Sequence, residues 1–300
     1  VSERKRKLTR RDFLQAVSGA AVAGASLVTA PATPRLPKGK GRARVVLVRD
    51  PAALNENRKV NGPVVQRMLD DAVAALFDER SPEKAWARLF GSDDRVGIKS
   101  NHWEFLPTPP ALEEGIAARV AGAGVPPDRI KVRDQGCHKD SHFTGATALV
   151  NIRPMRTHHW SGVGSLLKNV ITFTPAPWDW HGDACADLAG LWQLPGVRWK
   201  VRLNVLVMLT PLFHGKGAHH YQAEYTWPYG GLLVGTDPVA VDATGLRILE
   251  ARRKIHFGKD LPFTVPPHHI RLADTKHRLG IADPDRIDIV RIGPMEDALV

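Results

Sequence analysis

The chain has 300 residues, 43% of them hydrophobic, and a formal net charge of +11, room for one large α/β domain or two small ones. With Cys137 and Cys185 its only cysteines, a four-thiolate zinc or iron–sulfur site is excluded, and no iron–sulfur cluster is expected. The positive charge comes with no nucleic-acid-binding motif, so the expected partner is a small anionic molecule and not nucleic acid.

The first thirty-two residues read as an export signal. Arg4-Lys5-Arg6-Lys7 is a positive start, Thr9-Arg10-Arg11-Asp12-Phe13-Leu14 carries paired arginines, and Ala16 to Ala30 is an uncharged run of small residues. That run is shorter than the roughly 20 apolar residues a membrane-spanning helix needs. Ala30-Pro31-Ala32 offers a cleavage site. The expected localisation is therefore periplasmic or extracellular by the twin-arginine pathway. The export machinery is then a partner, and the membrane is met only through the signal segment. Residues 33–43, rich in Pro, Gly, Lys and Arg, read as a linker, and 44–300 as a single α/β domain with two lobes as the alternative.

Along that domain, short β-branched runs alternate with helical patterns. This predicts an α/β fold: a mixed, mainly parallel sheet flanked by helices, with Trp- and His-rich irregular insertions. The expected strands are Arg44–Val48, Val96–Lys99, Ile130–Arg133, Ala148–Ile152, Leu203–Leu209, Gly231–Val234 and Ile287–Ile292. The clearest helices are Pro63–Phe77, Ala111–Ala123 and Pro238–Ala251. In the first, Val64, Val65, Met68, Leu69, Ala72, Val73 and Leu76 recur at helical spacing behind Pro63. In the third, Asp237 is placed as the N-cap and Pro238 as the first helical residue.

Four polar clusters carry the chemistry. Lys99-Ser100-Asn101-His102 follows a strand end, where open α/β sheets bind ligands. Arg156-Thr157-His158-His159 leads into Gly162-Val163-Gly164 and a second Lys-Asn pair, Lys168-Asn169, which suits an anion better than a nucleotide because the phosphate-loop pattern is absent. The histidines form a third set: His138 and His142 lie four apart, and His181, His214, His219 and His220 fall in irregular segments, where imidazole is a ready metal ligand. The fourth is Asp237-Pro238-Val239-Ala240-Val241-Asp242, whose second carboxylate is a candidate acid–base partner for Lys99 or Lys168. Trp103, Trp160, Trp178 and Trp180 interleave with these clusters and are candidates to wall a cleft. Cys137 and Cys185 are equally compatible with one disulfide and with two buried thiols.

Taken in order, Val96–Asn101, Ala148–His158, Gly162–Asn169, His181 and Gly235–Asp242 resemble the domain-of-unknown-function family numbered 362, in its twin-arginine-exported form. The resemblance spans residues 44–252 and maps the family's recurring polar residues onto Lys99, Asn101, His158, Lys168, Asn169, His181, Asp237 and Asp242. The chain departs from the family's pattern in two places: Arg156 stands where relatives often have lysine, and Leu206–Leu209 offers no counterpart of an acidic residue that many relatives carry.

The reading that follows is an enzyme acting on a small anionic substrate, with an optional divalent metal. Lys99, His158, Lys168 and Asp242 are its catalytic candidates, Asn101, Arg156, Asn169 and Asp237 its substrate-binding ones, and His158 and His181 its metal ligands. The rivals are a non-catalytic binding protein and an accessory subunit that docks through its Trp-rich segments.

Overall fold

Each of the seven β-branched runs becomes a strand in the computed structural model, which describes residues 41–215, 217 and 221–300. The expected signal, nearly all of the linker, and His219 and His220 lie outside the described residues. The strands are β1 (Ala43–Arg49), β2 (Val96–Lys99), β3 (Ile130–Arg133), β4 (Ala148–His158), β5 (Gly162–Gly164), β6 (Val201–Leu212), β7 (Gly231–Gly235) and β8 (Ile287–Ile292). They form one sheet in the order β3-β2-β4-β6-β7-β1-β8, with β5 paired to β4. β7 is antiparallel to both of its neighbours and β5 to β4, while the other pairings are parallel. The mixed, mainly parallel α/β sheet is thus as expected.

Helices α1 (Gly62–Leu76), α2 (Pro82–Ala87) and α3 (Pro110–Gly122) cover one face of the sheet. There Val65, Leu69 and Val73 from α1 meet Val46, Val150 and Val205 of the strands. The other face is covered by α5 (Pro238–Phe257), α6 (His268–Thr275) and the irregular chain around α4 (Leu166–Asn169), packed on Val45, Leu149 and Leu206. α5 runs past its expected end and stops at Gly258, whose left-handed backbone closes the last turn. Two short helices, α2 and α6, have too few turns to show a periodic pattern.

β4 outruns its expected end by six residues because Arg153-Pro-Met-Arg-Thr-His158 is buried yet largely polar, and so lacks the apolar signature of a core strand. Pro154 can sit in this inner strand because the β4–β6 ladder shifts register between Pro154 and Arg156. Beyond it the chain turns back at Gly162, at φ +72°, where any Cβ would fall 2.2 Å from the Val265 carbonyl. The return strand β5 then pairs Gly164 with Arg156.

The connection from β2 to β3 runs through α3 on one face, with Leu112, Ile116 and Val120 in that core. The connection from β3 to β4 packs Phe143 into the other. The chain therefore leaves the sheet in opposite directions on either side of β2, which opens a crevice at the carboxyl ends of β2, β3 and β4. No helix of the described residues is long and apolar enough to cross a membrane.

Candidate functional site

That crevice is a cleft of about 160 Å³, lined by Lys99, Asn101, Asp134, Arg153, Arg156, His158, Lys168, Asn169 and His181 among others. A water molecule occupies about 30 Å³ of liquid, so the cleft suits a molecule the size of a few waters. Of the expected site residues, seven are brought together here: Lys99, Asn101, Arg156, His158, Lys168, Asn169 and His181. Two are not.

Those two are Asp237 and Asp242, and their roles need correcting. Asp237 is the N-cap that its position predicted: it accepts from the backbone N–H groups of Val239 at 2.8 Å and Ala240 at 3.1 Å, and also from Ile281 at 2.9 Å. It is not among the residues lining the cleft. Asp242 is fully buried and accepts from Ser165 Oγ at 2.6 Å, Leu166 N at 2.9 Å and Leu167 N at 2.8 Å. Burial pushes its pKa up to about 6 against those three donors. It caps α4 from α5, one turn ahead of Lys168 and Asn169, and does not line the cleft.

The floor of the cleft is a polar network on the strand ends. Lys99, 1% exposed, donates to Asp134 Oδ1 at 2.9 Å, to Asn169 Oδ1 at 3.1 Å and to the Ser100 carbonyl. Burial alone would raise the Asp134 carboxyl; Lys99 and the His102 N–H hold it below its usual range. Asn169 donates to Asn151 Oδ1 at 2.8 Å, Asn151 to Asn204 Oδ1 at 3.3 Å, and Asn204 to the Thr236 carbonyl at 3.2 Å. A run of amides thus crosses β4 and β6 from the cleft to the start of α5.

The walls are cationic. Arg153 and Arg156, 3% and 5% exposed, line the cleft although residues three apart in a regular strand face opposite sides. The register shift between them accompanies this change of facing. Arg153 donates to the Ser165 carbonyl at 3.2 Å and Arg156 to Asn101 Oδ1 at 3.5 Å; among the described residues neither Nε has a partner and neither guanidinium forms an ion pair, although Asp134 acts on both, and Asp242 on Arg153, from further off. Burial pulls both below the usual guanidinium range, and Arg153 adds to the displacement of Arg156. Arginine keeps its proton regardless, so the displacement measures unmet solvation. Trp103 lies 4.1 Å from the Arg156 guanidinium, face on.

Lys168, 5% exposed, lies 2.8 Å from His181 Nε2. Burial pulls Lys168 down to about 8, with Arg153 and Arg156 adding to the effect, and pulls His181 down to about 4. Near neutrality the lysine therefore holds the proton and the imidazole accepts. His158 is held well below the imidazole range by burial and then by Lys168 and the arginines, so it is neutral. Its Nδ1 accepts the Trp160 N–H at 3.2 Å, which assigns the ring proton to Nε2. The Trp160 ring lies 4.2 Å from that of His181 and Trp103 stacks on Arg156, while Trp178 is exposed and Trp180 is buried in the core; none of the four lines the cleft itself.

His158 and His181 do not fit a metal site. His181 Nε2 is engaged by Lys168, His158 Nδ1 by a backbone N–H, and the surroundings are cationic. Among the described residues no three His, Cys, Asp or Glu side chains converge as metal ligands. His138 and His142 turn to separate backbone carbonyls, Thr172 at 3.2 Å and Val96 at 3.0 Å. Cys137 and Cys185 are both free and buried, which settles the open alternative against a disulfide.

Asp134 and Arg153 were missed. Asp134 follows β3 as Ser100 follows β2, so the strand-end rule applied to every parallel strand would have found it. Arg153 was hidden by the early end assigned to β4. A larger cavity of about 510 Å³ shares His158 with the cleft and is bordered by Arg253, but that guanidinium is satisfied by the Phe213, Leu261 and Pro262 carbonyls and by His214. Among the described residues that line it, Arg253 is the one guanidinium or ammonium group, and it is paired in this way.

The close fit of β5 permits a first prediction. A Cβ on Gly164 would stand 3.0 Å from Arg153 Nη2 and 3.4 Å from both Arg156 Nε and His158 Cδ2. Gly164→Ala is expected to cost about 1–3 kcal/mol by overpacking, read as a lowered urea midpoint. An unchanged midpoint would mean that the arginines have room to withdraw.

A family model described as Domain of unknown function (DUF362) matches residues 113–247. The matched stretch holds Asp134, Arg153, Arg156, His158, Lys168, Asn169 and His181, while Lys99 and Asn101 precede it. No curated protein and no solved structure matches the chain.

Proposed function

We propose that the protein takes a small anionic substrate into the cleft at the strand ends and moves a proton on it. The observation that carries this is the pair Arg153 and Arg156: two buried guanidinium groups, each with an unpartnered Nε and neither in an ion pair among the described residues. Charges are left in this state where a ligand supplies the counter-charge. Lys168 and His181 are the acid–base pair, since a lysine near pKa 8 exchanges a proton at physiological pH. Neutral His158 offers an Nε2–H that can polarise a substrate oxygen without adding charge. Asn101 and Asn169 orient the ligand.

Export by the twin-arginine pathway belongs to the same proposal and rests on Arg10-Arg11 and the uncharged run after them. The twin-arginine form of the family is the corresponding finer assignment. Fusing residues 1–40 to a reporter and following its appearance outside the cytoplasm tests it; Arg10→Lys with Arg11→Lys should abolish the signal.

The cleft itself is tested by Lys168→Met. The folded pKa of about 8 lies below the ordinary lysine value of 10.5, so between those values the unfolded chain binds more protons and wild-type stability rises with pH. Below pH 8 the full penalty of the buried charge is present. The variant lacks it, and is expected to be more stable than wild type at pH 7 by about 1–3 kcal/mol, the difference closing by about pH 10. The same variant should lose at least tenfold in affinity for small anions. A variant that is less stable at pH 7, or that binds anions as wild type does, would remove Lys168 from the proposal.

A further inference from the structure

Resting on that reading, we propose that the anionic group held in the cleft is a single tetrahedral dianion, a phosphate or the phosphoryl end of a small monoester, gripped jointly by Arg153 and Arg156. The first ground is charge balance. The cleft is lined by four cations, Lys99, Arg153, Arg156 and Lys168, and by one carboxylate, Asp134, which is committed to Lys99. Asp242, behind α4, offsets one more charge. Glu113 faces Ser100 and His102 and does not line the cleft. A surplus of two positive charges is left on side chains that are 1–5% exposed. A monoanion leaves half of it uncompensated, and a dianion balances it.

The second ground is convergence. Arg153 Nη2 and Arg156 Nε both lie within 3.4 Å of the single point where a Cβ on Gly164 would sit. The two guanidinium groups are therefore close neighbours beside Gly164, both line the cleft, and each has an Nε–H without a partner among the described residues. Two forks gathered in this way suit one group with oxygens on several sides. The two ends of a dicarboxylate are held apart by their carbon chain and suit separated forks.

The third ground is exclusion of the commoner solution. Phosphate is usually taken by the free N–H groups at a helix start, but at α4 those of Leu166 and Leu167 are occupied by Asp242. The ligand must be held by side chains, which is where the unpaired donors are.

The test is isothermal titration of the purified chain, in a buffer without oxyanions, with inorganic phosphate, sulfate, succinate and acetate. Phosphate and sulfate are expected to bind at least tenfold more tightly than acetate and more tightly than succinate. Arg153→Gln and Arg156→Gln should each weaken phosphate at least tenfold, and circular dichroism and the ligand-free melting temperature, measured alongside, show whether each variant is folded. Lys168→Met provides a third variant should either arginine variant fail to fold. Succinate binding above phosphate would overturn the tetrahedral assignment and leave the anion reading standing. Acetate binding as well as phosphate would overturn the dianion in the same way. Heat from none of the four would sink the inference and the anion reading together.

Discussion

Lys99→Met is expected to lower the stability of the protein by about 3–5 kcal/mol at neutral pH, the usual cost of removing one partner from a buried ion pair. Lys99 donates to Asp134, to Asn169 Oδ1 and to the Ser100 carbonyl, all from a position that is 1% exposed. Methionine fills the volume and supplies no donor, so Asp134 is left as a buried carboxylate facing two amide and carbonyl oxygens. The cost has a pH signature. Lys99 helps hold the folded Asp134 below its ordinary carboxyl value, so the pair stabilises above the unfolded value and loses that contribution as pH falls through the folded one. The gap between wild type and variant, followed by urea denaturation, should therefore narrow in acid. A gap below 1 kcal/mol at pH 7 would mean that Arg153 or Arg156 has swung over to Asp134. Burial pulls both lysines of the cleft below the ordinary lysine value, against Asp134 in the case of Lys99; they differ in that Lys99 has a carboxylate partner to strand and Lys168 has none.

The second large effect is at Asp242. Asp242→Ala strands one hydroxyl and two backbone N–H groups in a fully buried place, for an expected cost of about 3–5 kcal/mol. Asp242→Asn keeps one accepting oxygen and turns an NH2 toward the remaining donor, so it should recover roughly half of that. A distal effect accompanies the loss. Lys168 and Asn169 ride on the turn that Asp242 caps, so a folded Asp242→Asn protein should bind anions more weakly while its remaining cleft side chains are unchanged. Wild-type affinity in that variant would confine Asp242 to stability.

Where the fold was legible, the reason is local. β2, β3 and β8 appear with the bounds expected of them, since each is a short β-branched run closed by polar or turn residues. The second half of β4 was not legible, because polar residues on a buried strand erase the alternation that marks one. That same departure is the mark of the site: Arg153, Arg156 and His158 break the strand pattern because they face the cleft. The carboxylates erred in the other direction. Asp237 and Asp242 lie beside the cleft in sequence logic, yet helix starts draw acidic side chains for capping, and sequence does not say which helix a carboxylate will cap. Asp242 caps a helix that begins 76 residues upstream of it.

The amide run from Asn169 through Asn151 to Asn204 has a consequence of its own. A hydrogen-bonded path of water, imidazole or hydroxyl groups can pass a proton along by exchanging donors for acceptors. A carboxamide cannot do so: its NH2 and its oxygen are fixed in kind, and neither titrates in the range where the protein is folded. Each amide in the run is therefore locked in one orientation by the next, and the path transmits position but no charge. It acts as an insulator beneath Lys99, holding the side chain in place; on the proposed function, proton traffic is then left to the opposite wall, where Lys168 and His181 meet.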